Sequence, residues 1–148
     1  MARNKIGLQT SAFKDLMEKL DELGGSPAMK KGTESALKES KAYVNSQINK
    51  CMAKGNLPAG GRYSTGDTKR SIDTDMTVEW EGLTASIKAG FDFKKSGLKS
   101  IFLMYGTPKM APVAGLKDAI YGAKTQKQIA KLQAEAVSKV VKRIMEGK

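Results

Sequence analysis

The chain has 148 residues and a formal charge of +11, with 26 lysines and arginines against 15 acidic residues, one cysteine and no histidine. That composition excludes an internal disulfide, histidine general-base catalysis and histidine-bearing zinc sites. The length sets the expectation of one domain with a real core, and the 40% apolar content suits a soluble globular protein. The charge is spread along the chain and steepest in the last 25 residues, where seven basic residues face two acidic ones. Such an excess favours polyanions and acidic protein surfaces without specifying a fold. The basic N-terminus lacks an apolar run behind it, so no signal peptide is expected, and the longest apolar run, Ile101–Tyr105, is far too short to span a membrane. A cytoplasmic, soluble product is expected.

Phe13, Leu16, Met17, Leu20 and Leu23 recur at helical spacing among Lys14, Asp15, Glu18, Lys19, Asp21 and Glu22. This predicts an amphipathic helix, capped by Thr10 or Ser11 and stopped by Gly24-Gly25. Ser26-Pro27 starts a second, longer helix, with serine as cap and proline at the first helical position. Its apolar face reads Met29, Thr33, Ala36, Leu37, Ser40, Val44, Ile48 and Cys51, and Gly55 is a natural stop. Cys51 on that face is expected to be a buried, unreactive thiol. The two helices read as a hairpin. Residues 55–68 hold four glycines and a proline, the composition of a mobile loop.

The period then switches to two. Ile72, Thr74, Met76, Val78 and Trp80 share one strand face, and Leu83, Ala85, Ile87, Ala89, Phe91 and Phe93 share the next. A two-residue turn at Glu81-Gly82 pairs Trp80 with Leu83 and Ile72 with Phe91, and sets Asp75 opposite Lys88. A four-residue loop keeps the same faces inward. Ile101–Tyr105, apolar without alternation, reads as a third strand or a short segment covered on both faces. Pro108 and Pro112 then hold the backbone extended. Val113, Leu116, Ala119 and Ile120 predict a short helix ending near Gly122. Thr125 and Gln128 form a capping box for a last helix with Ile129, Leu132, Ala136, Val137, Val140, Ile144 and Met145 on its apolar face.

The expectation is therefore one α+β domain over 1–148. It has an N-terminal helical hairpin over about 10–54, loop 55–68 and C-terminal amphipathic helices over about 113–146. A small antiparallel sheet, hairpin plus third strand, spans 71–105 and packs against the long helix.

Chemistry is sparse. Asp67, Asp73, Asp75, Glu79 and Glu81 are close in sequence, but the last four share the parity of a strand's solvent face, so a solvated face is preferred to a metal site. The glycine-rich run 60–66 lacks the Gly-Lys-Ser/Thr ending and preceding strand of a phosphate loop. No catalytic, metal or cofactor site is assigned. Lys139, Lys142 and Arg143 could face DNA, against the simpler reading of a solvated helix face.

The order of parts carries one resemblance. Ser64-Thr65-Gly66-Asp67-Thr68-Lys69-Arg70-Ser71-Ile72 leads into the first strand, and Tyr105-Gly106-Thr107-Pro108-Lys109 precedes a second proline and a helix. Over about residues 30–122 this resembles the minor tail components of long-tailed bacteriophages, the tail-completion or head-tail joining family. Thr65-Gly66 with Ser71-Ile72, and Tyr105-Gly106-Thr107, match its two short motifs. Thr68 stands where leucine is usual, Met104 where an acidic residue is frequent, and Pro112-Val113-Ala114-Gly115-Leu116 replaces the usual Pro-Phe-Leu. The resemblance implies a non-enzymatic protein of the virion's tail or neck, assembled in the host cytoplasm as a ring. Its implied partners are copies of itself, tail terminator or tail-tube protein, and head connector proteins. Arg62, Tyr63, Thr65, Gly66, Arg70, Tyr105, Gly106, Thr107, Pro108 and Lys109 are the candidate contact residues. The competing reading is a basic protein that binds DNA nonspecifically; neither involves a membrane.

Overall fold

The computed structural model describes residues 26–53, 57, 66–82, 84–95 and 97–146. Helix α1 spans Pro27–Cys51; Ser26 caps it by accepting a hydrogen bond from the Met29 amide at 3.2 Å, with Pro27 at the first position as the sequence predicts. The predicted helix over residues 10–24 lies outside the described residues, as does most of loop 55–68. Within that loop's expected range, Asp67 and Thr68 belong to a one-turn helix, α2, Asp67–Arg70. Strands β1 (Glu79–Glu81) and β2 (Thr84–Ser86) form a two-stranded antiparallel sheet. Helix α3 (Gly97–Tyr105), helix α4 (Leu116–Tyr121) and the long helix α5 (Ala123–Met145) complete the fold. The class is α+β, as expected.

Helices α1 and α5 run side by side in opposite directions. Ala28 shares a groove with Ile144, and Gly32 abuts Val140; toward the other end of α1, Tyr43 and Cys51 face Ala123 and Thr125. The core sits where α1 meets the segment after α3. Val44, Ile48 and Met52 pack with Ile72, Val113, Leu116 and Ala119, flanked by Phe91, Leu103 and Met104. Apolar positions at intervals of three and four on α1 put this stripe on one face.

The sheet hangs from α1 by a polar seam. Lys41, 1% exposed, places its ammonium 3.1 Å from an Asp73 carboxylate oxygen and donates to the Asp75 carbonyl. Asn45 donates to the Asp73 carbonyl at 3.0 Å, and the Trp80 indole donates to Glu34 at 3.0 Å. Positions 34, 41 and 45 fall on one helical face, so three polar side chains clip the hairpin to the helix.

Several expectations are corrected. Ile101–Tyr105 is the end of helix α3, not a third strand: Ser100, Leu103 and Met104 turn inward at helical spacing, while Phe102 and Tyr105 turn outward. The hairpin pairs Trp80 with Ala85 and Glu81 with Thr84, which moves the turn to residues 82–83. The predicted Ile72–Phe91 pair forms as an isolated bridge. Residues 73–78 and 87–90 between these two pairings are unequal in number, so the ladder cannot be continuous. The cause is local: the Asp73 carboxylate accepts from the Asp75 amide at 2.9 Å and the Asp75 carboxylate from the Thr77 amide at 3.0 Å, diverting the backbone from strand pairing. Met76 and Phe93, expected inward, are exposed. Lys88 pairs with Glu79 at 2.7 Å instead of with Asp75. The last helix starts at Ala123, and Thr125, not its cap, is buried and donates to the Asp118 carbonyl at 2.9 Å.

Candidate functional site

Helix α3 ends because Gly106 follows it. Its φ is +75°, and a Cβ there would lie 2.8 Å from the Met110 carbonyl oxygen and 2.9 Å from Pro112 Cδ. Both the left-handed conformation and the absence of space require glycine. The next residues close into a tight loop. The Thr107 amide donates to the Met110 carbonyl at 2.8 Å, the Met110 amide returns a bond at 3.1 Å, and the Lys109 amide donates to the Thr107 hydroxyl at 3.3 Å. Pro108 and Lys109 form the exposed tip. The Val113 amide donates to the Leu103 carbonyl at 2.8 Å and its side chain enters the core, so the loop is tied down at both feet.

Beside this loop lies a surface of outward aromatic side chains. Phe102 and Tyr105, three residues apart on α3, are 48% and 57% exposed, and Tyr121 on α4 is 63% exposed. Lys117, one turn before Tyr121, sets its ammonium 5.1 Å from the centre of the Tyr105 ring, a cation–π distance. Tyr105 and Lys117 thus meet across α3 and α4, with Phe102 one turn before Tyr105 and Tyr121 one turn after Lys117. Phe102, Lys117 and Tyr121 were not among the sequence-based candidates. Phe102 was hidden by the strand reading, and the Lys117–Tyr121 spacing signals a shared face only once a helix is placed there.

The first motif is distributed differently. Gly66 has φ +74° and precedes α2, which touches α3. Arg70 is exposed and bonds Asp67 at 2.5 Å. Ser71 and Ile72 are buried, the Ser71 hydroxyl donating to the Thr68 carbonyl at 2.6 Å, so these two motif residues serve the core. Arg62, Tyr63 and Thr65 lie outside the described residues. Lys139, Lys142 and Arg143 are exposed near the end of α5, well separated in sequence and element from the loop.

No three acidic or thiol ligands converge among the described residues. Asp67, Asp73 and Glu79 instead face Arg70, Lys41 and Lys88. The Asp75 carboxyl is held below the usual carboxylate range, chiefly by the Thr77 hydroxyl and then its amide, and the Lys88 ammonium is pushed up by Glu79. Burial raises the Cys51 thiol, which disfavours the reactive thiolate. No described helix is long and apolar enough to cross a membrane. What the arrangement offers chemically is contact: a rigid backbone loop, three exposed aromatic faces and the ammonium groups of Lys109 and Lys117. Comparison of the chain with protein-family models, with curated proteins and with solved structures returns no match.

Proposed function

We propose that this chain is a structural virion protein of a tailed phage or prophage. It completes the head-proximal end of the tail, or joins the tail to the head connector, through ring-like self-assembly, and it catalyses nothing. The observation that carries the reading is the exposure of Phe102 and Tyr105 at the end of α3, with Lys117 of α4 against the Tyr105 ring, directly before the hydrogen-bonded Gly106–Met110 loop. It coincides with the Tyr105-Gly106-Thr107 motif on which the resemblance rests. Aromatic side chains in a cluster, with few rotatable bonds and a cation at hand, are the composition of protein interfaces. Copies of the chain, tail terminator or tail-tube protein, and connector proteins are the partners.

The test is a paired measurement. Tyr105→Ala/Tyr121→Ala should cost the isolated chain only about 1 kcal/mol, chiefly the Lys117 contact, because both rings are exposed, while abolishing ring formation and binding to purified tails or heads. Unaltered assembly of that variant, or a wild-type chain that remains monomeric and binds neither, refutes the reading. Nonspecific DNA binding is the second reading, favoured by the exposed Lys139, Lys142 and Arg143 on α5. It requires duplex binding with a steep salt dependence that charge reversal at those three positions removes.

A further inference from the structure

The charges of this chain are sorted. Residues 73–92, the hairpin and its feet, carry five of the 15 acidic residues and one lysine, in a chain of charge +11. Residues 97–121, from α3 to α4, carry three lysines and one aspartate. On the hairpin, Glu79 and Glu81 share a strand face, and the register sets Ser86 and Thr84 opposite them on that same face. All four are exposed, whereas Trp80 and Ala85, on the other face, are half-buried. Trp80 bonds Glu34 of α1, so the acidic face is turned away from that helix. Glu79 is shared with Lys88, and Glu81 pairs with no cation among the described residues.

The acidic hairpin and the basic, aromatic α3–α4 surface lie at opposite ends of α1. Asp73 meets Lys41 and Trp80 meets Glu34 and Lys30, so the hairpin runs toward the start of α1. Gly115, just before α4, instead faces Cys51 at the helix's end. From Glu34 to Cys51 the helix rises about 25 Å, and the hairpin's tip points away from that end. The two surfaces therefore cannot meet within one molecule. Complementary surfaces at opposite ends are what a heterologous, head-to-tail contact uses. We propose, resting on the self-assembly reading above, that the acidic hairpin face of one copy docks on the α3–α4 surface of the next. The chemistry matches: carboxylates and hydroxyls that accept meet the Lys109 and Lys117 ammonium groups and the Tyr105 and Tyr121 phenols, which donate. The other basic surface, Lys139 to Arg143, lies by the start of α1, where Ala28 shares a groove with Ile144. That is the hairpin's own end, and α5 carries no aromatic residue.

The test is a charge swap in the full chain, read by sedimentation velocity. Wild type should self-associate. Raising salt from about 0.1 to 1 M, which cuts the Debye length from about 10 to 3 Å, should weaken that association roughly tenfold or more. Glu79→Lys/Glu81→Lys and Lys109→Glu/Lys117→Glu, each alone, should weaken it by about a hundredfold or more, because each sets like charges across the contact. Mixed in equal amounts, the two variants should assemble again, since every hairpin then meets a surface of opposite sign. Recovery also shows that both variants are folded. Self-association that survives either variant, or a mixture that stays monomeric, overturns the proposal. Lys139→Glu/Lys142→Glu should assemble like wild type, and loss of association there instead of in the α3–α4 variant overturns it too. A wild type that stays monomeric yet binds purified tails or heads overturns this docking, assigns the surface to another protein and leaves the virion reading standing. A wild type that does neither refutes both.

Discussion

Gly32→Ala is a substitution whose sign the structure decides against helix propensity. Alanine in a helix interior is favoured over glycine by about 1 kcal/mol, so α1 alone predicts stabilisation. The partner helix reverses this. A Cβ at position 32 would lie 2.2 Å from Val140 Cγ2 and 3.3 Å from Val140 Cβ, whereas carbon contacts settle at about 3.5–4.0 Å. Rotating Val140 gives little relief, since its χ1 is strongly restricted in a helix and its Cβ is already close. The helices must part, at the roughly 1–3 kcal/mol that overpacking costs, which offsets the propensity gain and leaves a net loss of up to about 2 kcal/mol. Val140→Ala alone removes two half-buried methyl groups and costs about 1 kcal/mol. Combined with Gly32→Ala it removes the obstacle and recovers the propensity, so the double variant should come within about 0.5 kcal/mol of wild type. Urea unfolding of all four proteins, with unchanged slopes, measures the cycle. A Gly32→Ala chain more stable than wild type by about 1 kcal/mol would refute the close approach of α1 and α5.

Lys41→Met keeps the stem but leaves Asp73 without its cation. With the Asp73 side chain 27% exposed, water recovers part of the loss, and the urea midpoint should fall by the equivalent of about 2–4 kcal/mol; wild-type stability would show that the seam contributes nothing. Gly106→Ala meets both a positive φ and the Met110 carbonyl, so thermal unfolding should report a loss of about 2–4 kcal/mol, and a smaller change than 1 kcal/mol would contradict the loop geometry. Thr77→Val removes the first cause of the lowered Asp75 pKa. A depressed folded pKa gives stability that is present above the unfolded value, near 3.9, and lost as pH falls through the folded one. The Asp75 carboxyl of the variant should therefore titrate upward, toward its ordinary range, by carbon NMR, and the stability gap to wild type should close below about pH 4. An unmoved midpoint discounts the Thr77 bond.

Legibility followed the kind of signal each segment carries. Helix α1 was readable at its start because Ser26 and Pro27 state the geometry chemically, and α4 was readable at its end because Gly122 does. The residues of α3 were misread because a wholly apolar run has no period to measure. Its inward stripe contains Ser100, which does not register as apolar, while Phe102 and Tyr105, which do, point to solvent. The hairpin's facing rule failed at Met76, where Asp73 and Asp75 hydrogen-bond their own backbone two residues on. Side-chain competition of this kind is invisible to an alternation count. Lys41 was read past for a similar reason. Charge in a helix predicts solvent, and only the tertiary position of Asp73 and the Asp75 carbonyl makes its burial tolerable. At the site, Tyr105-Gly106-Thr107-Pro108 was legible as a rigid exit, but the patch beside it needed α3 and α4 in place.

Among the described residues the chain buries a lysine and exposes three aromatic side chains on α3 and α4 besides Phe93, and the two inversions have different remedies. Lys41 is compensated inside the molecule, by an ion pair and a carbonyl. Phe102, Tyr105 and Tyr121 have no equivalent compensation among the described residues beyond the Lys117 contact, which at an exposed site contributes about 0.5–1 kcal/mol. Burying the exposed half of each ring would stabilise by about 1–1.5 kcal/mol, so a monomer forgoes several kilocalories along α3 and α4. Single exposed apolar residues need no explanation, but a cluster does. The cluster also flanks a backbone loop fixed by two mutual hydrogen bonds, a proline and an obligatory glycine, so little conformational entropy remains to be lost on contact. Nonspecific DNA binding through the α5 lysines would leave this surface unexplained. Assembly onto a protein partner accounts for both the aromatic exposure and the rigidity of the loop that presents it, and on that ground it is the stronger of the two readings.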